Sequence, residues 1–146
     1  MADLPPELLG TDVGRLLCDL SQVEGIGVDI EDVGRFAGSI PRVFTAAEVE
    51  YCEAQTVPAI SYAGRWCAKE AIVKASLPNR RLGLREVEIR QGSRGEPEVW
   101  LARRMSGIIR RQAPFDTQSA FLQAEYVAVT IAHTRDLAVA VAVVRR

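Results

Sequence analysis

The chain has 146 residues, 48% of them hydrophobic, and a formal net charge of −1. That length suits one domain with a real core, and the near balance of charge argues against a generic nucleic-acid binder. Three cysteines, Cys18, Cys52 and Cys67, stand without CxxC spacing and read as free thiols of a reducing, cytoplasmic compartment. The N-terminus, Met1-Ala2-Asp3-Leu4-Pro5-Pro6, has no basic region or long apolar run, so neither a signal peptide nor a membrane span is expected.

In chain order, residues 5–22 carry Leu8, Leu9, Val13, Leu16, Leu17 and Leu20 at helical spacing. They predict an amphipathic N-terminal arm (1–22) that packs on the body (23–146) or on a neighbouring subunit. Residues 23–30, VEGIGVDI, predict a strand with Ile26, Val28 and Ile30 on one face and Gly25, Gly27 and Asp29 on the other. Asp29 is the odd member, a carboxylate among apolar residues, with two uses open to it: N-cap of the following helix or metal ligand. The glycines leave room beside it for a bulky ligand. Their GxG is no dinucleotide fingerprint, because Ile30 stands where the third glycine belongs. A short helix with Asp32 and Arg35 is expected over 31–37. Thr45-Ala46-Ala47-Glu48 is a capping box that opens a helix running to about residue 54.

The central stretch is Gly64-Arg65-Trp66-Cys67-Ala68-Lys69-Glu70-Ala71-Ile72-Val73-Lys74-Ala75. Pro58 upstream and Pro78 downstream bracket it as a helix. Glu70 and Lys74 are four apart and share a stripe with Trp66. By themselves they read either as a surface ion pair or as a partly shielded carboxylate and amine suited to chemistry. Residues 76–83 form a loop in which Arg80 and Arg81 are a solvated pair or an anion contact. Strands over 84–91 and 98–101 make a hairpin around the 92–97 turn, which is rich in glycine. A helix is expected over 102–113 with a basic cluster of Arg103, Arg104, Arg110 and Arg111, then a loop or short helix over 114–124. Strands over 125–132 and 137–144 close the chain. His133, the sole histidine, sits in the turn between them, where it can donate to an anion.

Four blocks occur in one order: Gly25-Ile26-Gly27-Val28-Asp29-Ile30, Arg42-Val43-Phe44-Thr45, the central stretch from Gly64 through Lys74, and Ile131-Ala132-His133-Thr134. In this ordered set the sequence resembles the holo-acyl-carrier-protein synthase family, the small 4'-phosphopantetheinyl transferases. The resemblance implies an α+β, 4'-phosphopantetheinyl transferase-like fold, an antiparallel sheet packed with a long central helix. It implies transfer of the phosphopantetheine arm of coenzyme A to a serine of an acyl carrier protein, leaving adenosine 3',5'-bisphosphate. Asp29 and Glu70 match the family's metal ligands, for Mg2+, and Lys74 its catalytic lysine. Arg65 and His133, with Thr134 beside it, match positions that hold coenzyme A. Arg35 matches a basic position that meets the carrier protein, and the family's sites commonly lie between the subunits of a homotrimer.

These residue types suit that chemistry. Oxygen ligands fit a hard divalent ion that keeps waters and phosphate oxygens in its shell, so two carboxylates suffice. Glu70, directly or through an adjacent water, is a route for the serine proton, and Lys74 suits charge on the phosphates. Two departures stand out. Ser76-Leu77-Pro78-Asn79-Arg80-Arg81 replaces the glycine-rich turn many relatives carry after the lysine, and Trp66 replaces a common Phe. A repurposed relative that binds coenzyme A or a carrier protein without transfer is the alternative reading.

Overall fold

The computed structural model describes residues 22–76, 82–102, 121–124 and 126–145. Apart from Gln22 and Ala102, the N-terminal arm and the helix expected over 102–113 lie outside these residues, as do Arg80, Arg81 and Cys18. The elements are β1 (Val23–Asp32), α1 (Ala46–Glu53), α2 (Pro58–Ala75), β2 (Val87–Gln91), β3 (Pro97–Ala102), β4 (Phe121–Gln123), β5 (Val127–His133) and β6 (Leu137–Arg145). The one expected sheet is two three-stranded antiparallel sheets, ordered β1-β6-β5 and β2-β3-β4. The described elements thus form the α+β arrangement expected, with helix α2 at its centre.

Helix α2 begins at its N-terminal proline and ends at Ser76, as the bracketing prolines predict. It crosses the first sheet obliquely. Gly64 lies over Ile131 of β5, the Cys67 thiol reaches the Ala138 carbonyl of β6 at 3.4 Å, and Ala71 and Ala75 lie over Gly27 and Gly25 of β1. The sheet face beneath is made of small residues, with Ala138, Ala140 and Ala142 all buried. A Cβ on Gly25 would stand 1.9 Å from the Ala75 carbonyl oxygen, and one on Gly27 1.9 Å from that of Ala71. The space beside Asp29, expected to admit a ligand, is therefore filled by the backbone of α2. Glycine is required there because any side chain would meet helix backbone.

The predicted alternation of β1 is present, but its bulky residues point away from the helix. Ile26 and Ile30 are each 62% exposed and Val28 52%, joined on the same face by Leu137 and Val141 of β6. Helix α1 starts with the predicted capping box, in which Glu48 N–H donates to Thr45 Oγ1 at 3.3 Å and Thr45 N–H to Glu48 Oε2 at 2.9 Å. Glu48 also accepts from Ile89 N–H at 2.9 Å and pairs with Lys69 at 2.8 Å, both side chains being fully buried. Lys69 Nζ further donates to the carbonyls of Val43, Leu84 and Val87. This pair ties α1, α2 and β2 together, a junction the sequence reading missed.

Three local expectations are corrected. β1 runs on to Asp32, and only Val33–Phe36 turns, as a 3-10 helix capped by Asp32 rather than Asp29. Leu84–Glu86 is likewise a 3-10 turn ahead of β2. The stretch expected as a loop or short helix over 114–124 contains β4, which exists because it pairs with Trp100, Leu101 and Ala102 of β3.

Candidate active site

The candidate residues fall into two groups on opposite sides of α2. On the β1 side lie Asp29, Glu70, Lys74 and Arg35. Lys74 Nζ donates to Asp29 Oδ1 at 2.6 Å and to the Val28 carbonyl at 3.3 Å. The Asp29 side chain is mostly buried against the helix, whereas Lys74 remains about half exposed. The hydrogen bond to Asp29 raises the Lys74 pKa, with the charges of Asp29 and Glu70 acting the same way against partial desolvation. Lys74 is therefore a cation at neutral pH. Burial pushes the Cys67 thiol beneath it up to about 12, and the Asp29 carboxylate adds to the shift. Glu70 is half-buried on the stripe it shares with Trp66 and Lys74. Arg35 stacks on Trp66, its guanidinium 4.6 Å from the ring centroid, and pairs with Glu31.

The donors on this side are hard oxygens, the carboxylates of Asp29 and Glu70, both close enough to Lys74 to act on its charge. Among the described residues no group of three or more His, Cys, Asp or Glu side chains is arranged to hold a metal ion. Two carboxylates fit an ion that completes its shell from waters and phosphates, as Mg2+ does.

On the β5 side a pocket of about 240 Å3 is lined by Arg65, His133, Tyr51, Arg90, Gly95 and Ile131, among others. Arg65 is only 8% exposed, and its guanidinium lies 3.7 Å from the centroid of the Tyr51 ring. Among the described residues its Nε has no hydrogen-bond partner and no carboxylate forms an ion pair with it, while its side chain interacts with the Cys52 thiol. His133, the last residue of β5, is exposed at the same pocket. Thr134 lies outside the lining, where its Oγ1 accepts from the N–H groups of Asp136 and Leu137 and shapes the β5–β6 turn. Gly95, at φ 88°, supplies the left-handed residue that lets the β2–β3 hairpin turn at the pocket edge. Tyr51 and Arg90 were not singled out in the sequence. The only hint was their placement on elements beside the Arg65 helix.

A nearly buried guanidinium whose Nε lacks a partner, on one side of a long helix, with a carboxylate–ammonium cluster on the other, is an arrangement suited to an anionic ligand. The chain belongs to the holo-acyl-carrier-protein synthase family, its residues 25–142 matching the model of the 4'-phosphopantetheinyl transferase superfamily. It is 37% identical over 130 residues to a holo-[acyl-carrier-protein] synthase of Chlorobaculum parvum, spanning 82% of this chain and 97% of that one. The acyl carrier protein synthase of Mycobacterium tuberculosis superposes with a TM-score of 0.62 at 26% identity, over 84% of this chain and 97% of the other. A holo-(acyl-carrier-protein) synthase from Bacillus anthracis, solved in complex with CoA (3',5'-ADP), shares the fold with a TM-score of 0.58 at 24% identity, over 84% and 96%. The activity class is accordingly that of a holo-[acyl-carrier-protein] synthase, a transferase. No described helix is long and apolar enough to cross a membrane.

Proposed function

We propose that this chain moves the 4'-phosphopantetheine arm of coenzyme A to a serine of an apo acyl carrier protein. The observation that carries this reading is Arg65. A nearly buried cation with an unpaired Nε and no carboxylate partner among the described residues calls for an anion. The phosphates of coenzyme A supply one, with His133 as a second donor in the same pocket. Thr134, beside His133, accepts from the Asp136 and Leu137 N–H groups through Oγ1 and keeps its own O–H to donate to coenzyme A.

In the transfer, the serine oxygen bonds to the phosphorus that bears the pantetheine arm. The bond from that phosphorus to the oxygen of adenosine 3',5'-bisphosphate breaks, and the serine proton passes to Glu70, directly or through a water. Lys74, which donates to Asp29, is placed to stabilise the charge gathering on the leaving phosphate. Asp29 and Glu70 would hold Mg2+, whose chemistry there is neutralisation of the pyrophosphate charge. Arg35, stacked on Trp66 beside this group, is the proposed contact for the carrier protein.

The exposed face of Ile26, Val28, Ile30, Leu137 and Val141 supports self-association, because an apolar sheet face of this kind is ordinarily covered, and a homotrimer is what the family resemblance implies. Assembly would also set the two residue groups of neighbouring protomers side by side. The buried free thiols of Cys52 and Cys67 support a cytoplasmic location.

The experiment is intact-mass spectrometry of an apo acyl carrier protein incubated with the enzyme, coenzyme A and Mg2+, with an EDTA control and the variant Glu70→Gln. The expected result is a mass gain of one phosphopantetheine arm that EDTA abolishes and Glu70→Gln slows by roughly 100-fold or more, the scale of a lost general base. Coenzyme A binding without any mass gain across fatty-acid and polyketide carrier proteins would instead favour a binding-only relative.

A further inference from the structure

We infer that the Lys74 ammonium and a divalent cation compete for the Asp29 carboxylate, so that loading the cation releases Lys74 from β1 toward the phosphates of coenzyme A. This rests on Asp29 and Glu70 being the cation site.

Where β1 runs beneath α2, Gly25 meets Ala75 and Gly27 meets Ala71. The next residue on that face, Asp29, therefore falls about one helical turn nearer the N-terminus of α2 than Gly27 does. Lys74 spans that gap by reaching back along the helix, the direction in which helical side chains lean. Its Nζ then donates to Asp29 Oδ1 at 2.6 Å and to the Val28 carbonyl at 3.3 Å. The two ends of the pair differ in freedom. The Asp29 side chain is 13% exposed and that of Lys74 48%. Asp29 is fixed on a strand whose register sets it opposite Ala140 of β6, whereas Lys74 has a flexible stem open to water. Exchange at this carboxylate moves the lysine and leaves the aspartate in place.

Charge supplies the reason to exchange. Asp29 and Glu70 both act on Lys74, so two carboxylates share a single ammonium. A hard divalent ion satisfies both. It does not share Asp29 readily with Lys74, because a cation on the second carboxylate oxygen would stand within a few ångströms of Nζ, where like charges repel. Little else holds the ammonium. The Val28 carbonyl is a neutral acceptor at the long end of the hydrogen-bond range, and fixing a lysine side chain opposes the contact through lost rotamer freedom. Once released, Lys74 stays tethered on α2 beside Asp29 and Glu70, where the reacting phosphates must lie. The contact with Asp29 thus stores the ammonium at the site until a cation takes its place.

The test is Mn2+ titration followed by electron paramagnetic resonance, without coenzyme A, on the wild type, Asp29→Asn, Lys74→Met and Lys74→Arg. Asp29→Asn is expected to weaken binding. Lys74→Met is expected to bind Mn2+ roughly 10- to 100-fold more tightly than the wild type, the range of the charge-assisted hydrogen bond that the ion no longer has to break. Lys74→Arg keeps a competing cation and gains less. Nitrogen-15 spectra of the lysine ammonium groups follow the exchange in the unaltered protein, where the Lys74 resonance should shift in step with Mg2+ occupancy. A wild type that binds the cation while that resonance stays in place would overturn the competition and leave the cation site standing. A folded Lys74→Met protein with unchanged or weaker affinity would do the same. An Asp29→Asn protein that binds Mn2+ as the wild type does would overturn the site and the inference with it. So would a complete absence of Mn2+ binding by the wild type and Lys74→Met, with or without coenzyme A.

Discussion

The contact between α2 and β1 gives the most direct link from a single atom to catalysis. Gly27→Ala would add one methyl group at 1.9 Å from the Ala71 carbonyl oxygen and 2.7 Å from the Ala75 nitrogen. Ordinary contact begins near 3.4 Å, so helix and strand must separate by about 1.5 Å. The obstructing atoms are backbone, so no side chain can turn aside. Overpacking of this kind costs about 1–3 kcal/mol. At about 2–4 °C per kcal/mol for a chain of this size, Tm should fall by roughly 2–12 °C. The same shift acts on Lys74, which sits on the displaced turn and reaches Asp29 at 2.6 Å. Opening that contact by an ångström or more takes it out of hydrogen-bonding range. Misplacement of that size costs on the order of 100-fold in rate. Calorimetry and the carrier-protein mass assay measure the two effects. Gly38→Ala is the control, since a Cβ there meets nothing within 4 Å. A Gly27→Ala protein with wild-type Tm and wild-type rate would refute the argument that the glycine face closes directly on the helix and holds Lys74 against Asp29.

The Lys69–Glu48 pair should behave as a buried ion pair. Lys69→Met is expected to cost about 3–5 kcal/mol in urea denaturation because it strands the Glu48 carboxylate, and the double variant Glu48→Gln/Lys69→Met should recover much of that loss. Alkaline stability follows from the buried thiols. Burial raises Cys52 to about 11 and Cys67 to about 12 from an ordinary 9.0. Between pH 9 and about 11–12 the unfolded chain has lost protons that the fold retains, so the free energy of unfolding, and with it stability, should fall as pH rises through that window. Urea midpoints that stay flat from pH 8.5 to 10.5 would contradict it.

How much was legible beforehand varied with the range of the interaction. Pro58, the run of helix formers and the Thr45–Glu48 capping box are local signals, and each produced the element it implied. The alternation of β1 was equally legible, and so was the stripe that aligns Trp66, Glu70 and Lys74. β4 was missed because three residues form a strand only when a partner lies alongside. Lys69 reads in sequence like any solvent-facing lysine between Ala68 and Glu70. Its burial depends on Glu48, which is 21 positions away in the numbering and on another helix.

What the sequence determined by itself was the two helices α1 and α2, the strands other than β4, the spacing of the reactive side chains and, through its ordered motifs, the family. Tertiary structure decided which face of β1 turns inward. Hydrophobicity alone would bury Ile26, Val28 and Ile30, yet Gly25 and Gly27 face the helix because only residues without a Cβ admit its backbone so closely. It also decided that Arg65 and His133 share a pocket apart from Asp29, Glu70 and Lys74, and that Tyr51 lies against Arg65 and Trp100 against Arg90. Those outcomes follow from strand register and helix crossing, which bring together residues whose separation along the chain carries no trace of the meeting.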